Sequence, residues 1–504
     1  MSSHRYSAAL TSTVHDELAS HLLREDGDED LCFAVWYPSQ GKTRLSALIA
    51  VPILPEEGER LVHGNASFQP HYFERALAEA MRLGGGLGFL HSHPGPGWQA
   101  MSRDDVQAER GHAAAAKAST GLPLVGLTLG TDGAWSARFW MKAAPRIYER
   151  QWCENVRVVG RKLAITWHPE LRPTPSFRPS LLRTISAWGE AAQADFARLH
   201  IGVVGAGSVG SMVAEALVRT GNEHIDLLDF DSIEQKNLDR LLHATEGHIG
   251  KAKVDVLAVG LRKGATGGDV DVRASEWSVV EDEGFLQALD CDVLFSCVDR
   301  PWPRSAMNYA AYAHLIPVVD GGIQVTVTKR GTLKSADWRA HIAAPMRRCL
   351  ECVGQYNAGD VSLERDGRYD DAVYIAGLPK DHPMRANENV FAFSMSVASL
   401  EVLQLLMMVV APSSVSSPGA QLYHFVPGFM DESDHRGCED RCIYRNYIAR
   451  GDRGGLTVTA KHARAEEARA ARAGAPVIPP DAPPRAPFWA RLRAWVSKGA
   501  IPHQ

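Results

Sequence analysis

The sequence predicts two α/β domains in series, the second built on a mostly parallel, doubly wound sheet. Two observations carry that reading. Short strands alternate with one or two helices over residues 1–150, and one of those strands ends in "GLGFLHSHP" (Gly86 to Pro94). A second α/β unit opens with "LHIGVVGAGSVGSMVAEALVRTG" (Leu199 to Gly221), a strand, a glycine-rich turn and a helix. At 504 residues the chain is long enough for two or three domains with real cores, and 45% apolar with 22% charged residues is ordinary globular composition.

In the first domain, "DLCFAVWYP", "RLSALIAVPI" and "PLVGLTLGT" read as strands and "YFERALAEAMRLG" as an amphipathic helix. Side chains two apart on a strand share a face, so His91 and His93 can point at one ion. Three protein ligands and a water make an open catalytic zinc site. Asp105 is the expected third ligand, and Ser102, three residues earlier, could hydrogen-bond a tetrahedral oxyanion. The same Ser-x-x-Asp also fits a helix N-cap ahead of "VQAERGHAAAAKA". A carboxylate must still move the proton of the bound water, and Glu29, just before the strand in "DGDEDLCFAVW", is assigned that work. Glu25, Asp28 and Asp30 crowd it.

His91-Ser92-His93-Pro94 followed by Ser102-x-x-Asp105 resembles the JAMM signature of the JAB/MPN metalloproteases. The resemblance covers roughly residues 10–150. It implies a zinc-dependent enzyme with a glutamate base that cleaves peptide or isopeptide bonds after the C-terminal glycine of ubiquitin-like proteins. Eight residues, not the family's usual seven, separate His93 from the serine, which leaves Asp104 as an alternative to Asp105. The assignment of Glu29 follows an acidic residue with a small one, Cys32, three positions later.

A proline-rich stretch, "WHPELRPTPSFRPS", reads as part of a linker over 151–180. In the second domain, 181–450, Gly205-x-Gly207-x-x-Gly210 lets the backbone approach phosphate at a helix N-terminus, and Asp229 ends the next strand, placed for a ribose hydroxyl. That much suits a dinucleotide dehydrogenase equally well. Asp231, Asn237, Arg240, Lys253 and Asp299 decide the matter, because two cations and two further carboxylates are redundant for hydride transfer. They suit phosphoryl chemistry, with Arg240 and Lys253 on phosphates and Asp231 with Asp299 on magnesium.

This pattern resembles the ThiF/MoeB family of ubiquitin-activating-enzyme-like adenylyltransferases. The resemblance implies ATP and Mg2+ as cofactors and a Rossmann-like activating-enzyme fold. It implies Asp229 on the ribose, Asn237, Arg240 and Lys253 on the triphosphate, and Asp299 at the metal and the attacking carboxylate. It also implies a homodimer in which Arg183 reaches the partner's nucleotide. Leu241 stands where the family usually has glutamine. Cys349-x-x-Cys352 and Cys438-x-x-x-Cys442 can form a closed structural zinc site, which the family commonly has with two Cys-x-x-Cys pairs.

The expected whole is a bifunctional enzyme that cuts at, and adenylates, the C-terminal glycine of a ubiquitin-like protein. The activated glycine would pass to a separate conjugating-enzyme-like partner or, in a sulfur-carrier pathway, to a sulfurtransferase. A net charge of −5 argues against a general nucleic-acid or membrane binder. An N-terminus without an apolar core and sparse cysteines point to the cytoplasm. "LEVLQLLMMVVA" is too short for a membrane span and reads as a buried helix. Residues 451–504 read as an Ala/Arg/Pro-rich tail, with "AKHARAEEARAARAG" an exposed helix, "PVIPPDAPPRAP" a stiff spacer and "FWARLRAWVSKG" a short basic amphipathic helix.

Overall fold

The structure is a computed structural model that describes residues 4–63, 65–378, 389–410, 419–432 and 437–474. The first domain contains β1 (Arg5–Thr11), α1 (Ser12–Leu22), β2 (Leu31–Gln40), β3 (Arg44–Ile53), β4 (Arg60–His63), β5 (Asn65–Phe68), α2 (Pro70–Leu83), β6 (Gly86–Ser92) and α3 (Arg103–Thr120). It continues through β7 (Leu124–Leu129), β8 (Trp135–Ala144), β9 (Ile147–Trp152), β10 (Asn155–Val159) and β11 (Leu163–Trp167). Nine of these strands form one sheet in the order β11-β10-β1-β3-β2-β6-β7-β8-β9. Alternation along β2 divides the core. Leu31, Phe33, Val35 and Tyr37 pack under α2 and α3 with Tyr72, Phe73 and Ala113, while Cys32, Ala34 and Trp36 pack with Leu18 and Leu22 of α1.

The expected linker over 151–180 is a correction. β10 pairs in parallel with β1, so the first domain runs to Trp167, and the irregular connection is confined to about 168–178. "NVRVVGRKLAITW" is an edge hairpin, its first strand buried and its second partly exposed, whose polar and apolar residues are too mixed to advertise alternation.

The second domain contains α4 (Leu182–Trp188), α5 (Glu190–Arg198), β12 (His200–Val204), α6 (Ser208–Arg219), β13 (His224–Leu228), α7 (Lys253–Gly264), β14 (Asp271–Ser275), α8 (Asp282–Ala288), β15 (Val293–Ser296) and α9 (Pro301–Ala313). Then come β16 (Val318–Val327), β17 (Leu333–Ala343), α10 (Ala358–Arg365), α11 (Ala372–Gly377), α12 (Phe391–Val409), β18 (Gln421–His424), β19 (Phe429–Glu432) and α13 (Ala463–Ala473). The sheet order is β14-β13-β12-β15-β16-β17-β18-β19. The first five strands are parallel and doubly wound, as expected, and three antiparallel strands extend them. Leu217 of α6, Leu257 of α7 and Leu405 of α12 share one apolar cluster, and Phe285 of α8 and Trp302 and Met307 of α9 share another. Helix α12 is the one helix among the described residues long and apolar enough to cross a membrane, but it packs on α6, β16 and β17 as a core element.

The two domains meet through the β2–β3 turn. Lys42 N donates to Leu286 O at 2.9 Å, Thr43 N to the Asp290 carboxylate at 3.0 Å, and Arg44 Nη1 to Asp292 Oδ1 at 2.6 Å. A Cβ on Gly41 would stand 2.2 Å from Asp290 Oδ1, so the turn is close enough to require glycine there. The segment expected as an exposed tail helix is docked instead: α13 lies on the second domain with Ala465 fully buried. The proline-rich spacer and the basic amphipathic helix fall outside the described residues.

Candidate active sites

In the first domain, β6 carries His91 and, just past its end, His93, while α3 brings Asp105 over the same face. His91 Nε2 lies 3.2 Å from His93 Nε2 and 3.4 Å from Asp105 Oδ1, and His93 Nε2 lies 3.2 Å from Asp105 Oδ2. For a tetrahedral ion with ligand bonds near 2.0 Å, ligand atoms stand about 3.3 Å apart. The three donor atoms therefore have the spacing of three corners around zinc, with the fourth corner left for water. Burial would raise the Asp105 carboxyl, but His91 and His93 hold it well below the usual carboxylate range. Of the two aspartates open in the sequence, the structure selects Asp105; Asp104 is exposed beside it. Between His93 and Ser102 the chain makes a Gly/Pro loop, where Gln99 Nε2 donates to the carbonyls of Gly95, Pro96 and Gly97.

Ser102 is the N-cap of α3. Its hydroxyl oxygen accepts from Asp105 N at 3.1 Å, and its own N–H donates to Asp105 Oδ2 at 2.7 Å. The cap uses one lone pair and leaves the hydroxyl hydrogen free to donate. Glu29 precedes β2, which runs antiparallel to β6 with Leu31 opposite His91. Backbone pairing continues between Asp30 and Ser92, so the register carried one step further sets Glu29 opposite His93, on the histidines' face. Asp30 is spent elsewhere, buried against Arg60 at 2.5 Å.

In the second domain the glycine turn joins β12 to α6. Gly205 has φ +95°, and a Cβ on Gly210 would lie 1.8 Å from Gly205 O, so neither position accepts a side chain. Gly207 is the N-cap of α6, and among the described residues nothing crowds it. The Asp229 carboxylate accepts Ala206 N and Asp231 N, each at 2.7 Å, which ties the end of β13 to the turn. Lys253, at the start of α7, is 2.8 Å from Asp231. Burial works to lower the Lys253 ammonium, but Asp229, Asp231 and Asp299 outweigh it and keep it charged. Burial also pushes the Asp229 carboxyl up, with Lys253 opposing. Asp299 is exposed after β15.

The structure thus gathers Asp229, Asp231, Lys253 and Asp299 at the mouth of the turn. Asn237 and Arg240 are engaged within their own loop: Asn237 Oδ1 accepts Glu234 N at 3.0 Å, and Arg240 Nη1 donates to Lys236 O at 2.8 Å. Arg183 is exposed on α4, beside Leu181, which packs where α6 ends at Gly221. The glycine turn is at the other end of α6, about 18 Å away, so Arg183 does not join its own chain's site.

Behind the turn lies a polar cluster that sequence reasoning missed. Arg304 Nε donates to Asp320 Oδ1 at 3.0 Å, Ser296 Oγ donates to the same oxygen at 2.6 Å, and burial pushes the Glu401 carboxyl well up. A lone Glu401 in the apolar "LEVLQLLMM" was the available signal.

The four sulfurs of Cys349, Cys352, Cys438 and Cys442 lie within 4.8 Å of one another. Cys349 Sγ and Cys442 Sγ are 3.6 Å apart, close to the edge of about 3.8 Å for a tetrahedron with zinc–sulfur bonds of about 2.3 Å. Cys349 N donates to Cys438 Sγ at 3.1 Å and Cys352 N to Cys349 Sγ at 3.3 Å, as suits thiolate ligands.

Residues 180–426, just under half of the chain, match the model of the ThiF family. Among curated proteins, the chain is 32% identical over 139 residues to a tRNA threonylcarbamoyladenosine dehydratase of Escherichia coli, covering 28% of this chain and 52% of that protein. It is 32% identical over 121 residues to ubiquitin-like modifier-activating enzyme 5 of Bombyx mori, covering 22% of this chain and 30% of that one. The chain thus spans about half the length of these relatives, or less. Among solved structures it resembles E. coli MccB with ATP, at a TM-score of 0.41 and 15% identity, covering 53% of this chain and 74% of that one.

Proposed function

We propose that the second domain adenylates the C-terminal carboxylate of a ubiquitin-like protein, and that the first is a zinc peptidase acting at the same terminus. The adenylation reading is carried by Asp229, Asp231, Lys253 and Asp299 converging on the glycine turn. Backbone N–H groups of the turn and the start of α6 receive phosphate. Asp229 keeps lone pairs for a ribose hydroxyl, Lys253 balances the triphosphate, and Asp231 with Asp299 holds Mg2+. Arg240 and Asn237 swing from their loop onto the phosphates, and Arg183 serves a partner copy's site. The incoming carboxylate attacks the α-phosphorus and pyrophosphate leaves. Names among the relatives span tRNA dehydratases and modifier-activating enzymes. A net charge of −5 favours a protein substrate over a nucleic acid.

The peptidase reading rests on three donor atoms at tetrahedral spacing. A bound zinc would polarise the scissile carbonyl and acidify its water. Glu29 takes the water's proton and passes it to the leaving amine. Ser102 donates its free hydroxyl hydrogen to the oxyanion. The four cysteines hold a second, structural zinc.

The test combines ATP–pyrophosphate exchange with metal content. A cognate ubiquitin-like protein should support exchange that needs Mg2+ and is lost in Asp299→Ala, while cleavage of a C-terminally extended fusion persists. Two zinc ions per chain are expected. Dependence on a nicotinamide dinucleotide would overturn the adenylation reading, and cleavage insensitive to chelators would overturn the peptidase.

A further inference from the structure

Helix α13 returns to the nucleotide site from far along the chain. Its last turn places Arg472 against the loop that follows β13. Arg472 Nη2 donates to Phe230 O at 2.7 Å and Nη1 to Ser232 Oγ at 2.6 Å, so the guanidinium grips the residues on either side of Asp231. Its Nε donates to Glu276 Oε2 at 2.7 Å, just past β14. One planar fork therefore ties the acidic loop to the neighbouring strand end.

The loop so held is stitched to α7. Ser232 bridges Ala252, and Lys253 N donates to Asp231 O at 3.0 Å. Asp229, Asp231 and Lys253 are set by one short network, and Arg472 clamps its outer side. The helix is firmly seated: Arg469 makes two hydrogen bonds to Glu281, at 2.9 and 2.6 Å, and lies 4.0 Å over the Trp277 ring. Only 15% of the Arg472 side chain is exposed, so this is a formed contact rather than a surface pairing.

We propose that α13 is a working part of the nucleotide site, with Arg472 a positioning residue that holds the Asp229–Asp231 loop for the ribose and magnesium of ATP. The inference rests on the adenylation reading and adds a segment beyond the matched ThiF residues to it. Arg472 touches no reacting atom and acts through Phe230, Ser232 and the aspartates between them. Lysine cannot replace it, because a single ammonium cannot reach the carbonyl, the hydroxyl and the Glu276 carboxylate together.

The test is calorimetric titration of the full-length protein with Mg·ATP alone, which needs no protein substrate. Arg472→Ala and Arg472→Lys should each bind about tenfold more weakly, the loss of a charge-assisted bridge. Zinc content should match wild type, and the thermal midpoint should fall only by what the contacts to Phe230, Ser232 and Glu276 contribute, whereas a merely structural contact would lower stability and leave affinity unchanged. Arg472→Gln, which retains bulk and donors, serves if the alanine variant does not fold. Unchanged affinity in the folded variants would overturn the proposal. Tighter binding would overturn it too, by showing that α13 occludes the site. Failure of the wild type to bind Mg·ATP would instead strike the adenylation reading itself.

Discussion

Carried one step past the observed pairs, the β2–β6 register sets Glu29 opposite His93, and Glu29 is not one of the three residues of the donor set. Glu29→Gln should therefore abolish cleavage while the protein retains its full zinc complement by metal analysis. Retained cleavage would return the base to another carboxylate. The thiols make a second residue-level prediction. Cys32, Cys153 and Cys291 are buried, and burial pushes each of their pKa values up. Cys297 lies behind the glycine turn beside Glu401, with burial the main cause of its raised pKa. The other four gather as a metal-ligand set. The first four are not poised nucleophiles, and a zinc ion would occupy the thiolates of the set, Cys438 included, whose pKa its cysteine and tyrosine neighbours lower, so ATP and the ubiquitin-like protein should leave no thiol-sensitive adduct on this chain in a non-reducing gel. An adduct removed by one Cys→Ala change would refute that. Which side chains come together was legible where it depends on near spacing, as at His91, His93 and Asp105. Arg304, Asp320 and Arg472 were not, because each meets its partners across a sheet or from the far end of the chain, and nothing local marks it.

Helix α3 joins a local capping rule to the proposed metal site. Its cap is reciprocal, so the serine that stops the helix fraying also fixes the backbone and one carboxylate oxygen of Asp105. Ser102→Ala should cost about 1 kcal/mol in thermal or denaturant unfolding. It should lower cleavage far more than that figure implies, because the metal ligand loosens and the oxyanion donor disappears. A cleavage loss no greater than the stability loss would leave Ser102 as a cap alone. The strand–turn–helix at Gly205 to Arg219 was readable for the same reason as this cap: its demands are steric and lie within a few residues. The edge strands β10 and β11 were not, since their place is decided by pairing with β1, whose sequence lies some 150 positions earlier. The docking of α13 was hidden similarly. Its arginines look solvated in sequence, and only the acidic and carbonyl groups of a distant loop give them partners.

The domains are joined by a buried ionic cluster, and its position orders the whole molecule. Arg44 and Asp292 are 2% and 1% exposed in their side chains, and Arg157 lies fully buried 3.8 Å from the same carboxylate. The contact is made at the end of β2 remote from Glu29 and at the start of β15 remote from Asp299. The boundary extends beyond the cluster, because Ser12 and the tip of the β10–β11 hairpin also meet the second domain, at Met346 and Arg347. The cluster links the stability of one domain to that of the other. Burial would raise the Asp292 carboxyl, but Arg44 and Arg157 hold it well below the usual range. A carboxyl with a depressed native pKa contributes fully above its unfolded value of about 3.9, and the contribution is withdrawn as pH falls through that value towards the native one. Removing one partner leaves an uncompensated buried charge, which costs about 3–5 kcal/mol. Arg44→Ala should accordingly lower the thermal midpoint at pH 7 and bring the melting of both domains down together, followed by tryptophan fluorescence for the whole chain and by zinc release for the first domain. The deficit relative to wild type should shrink as the pH is lowered below 4, because protonated Asp292 no longer needs its partner. A deficit independent of pH would mean that packing of the Arg44 stem, not its charge, holds the domains together.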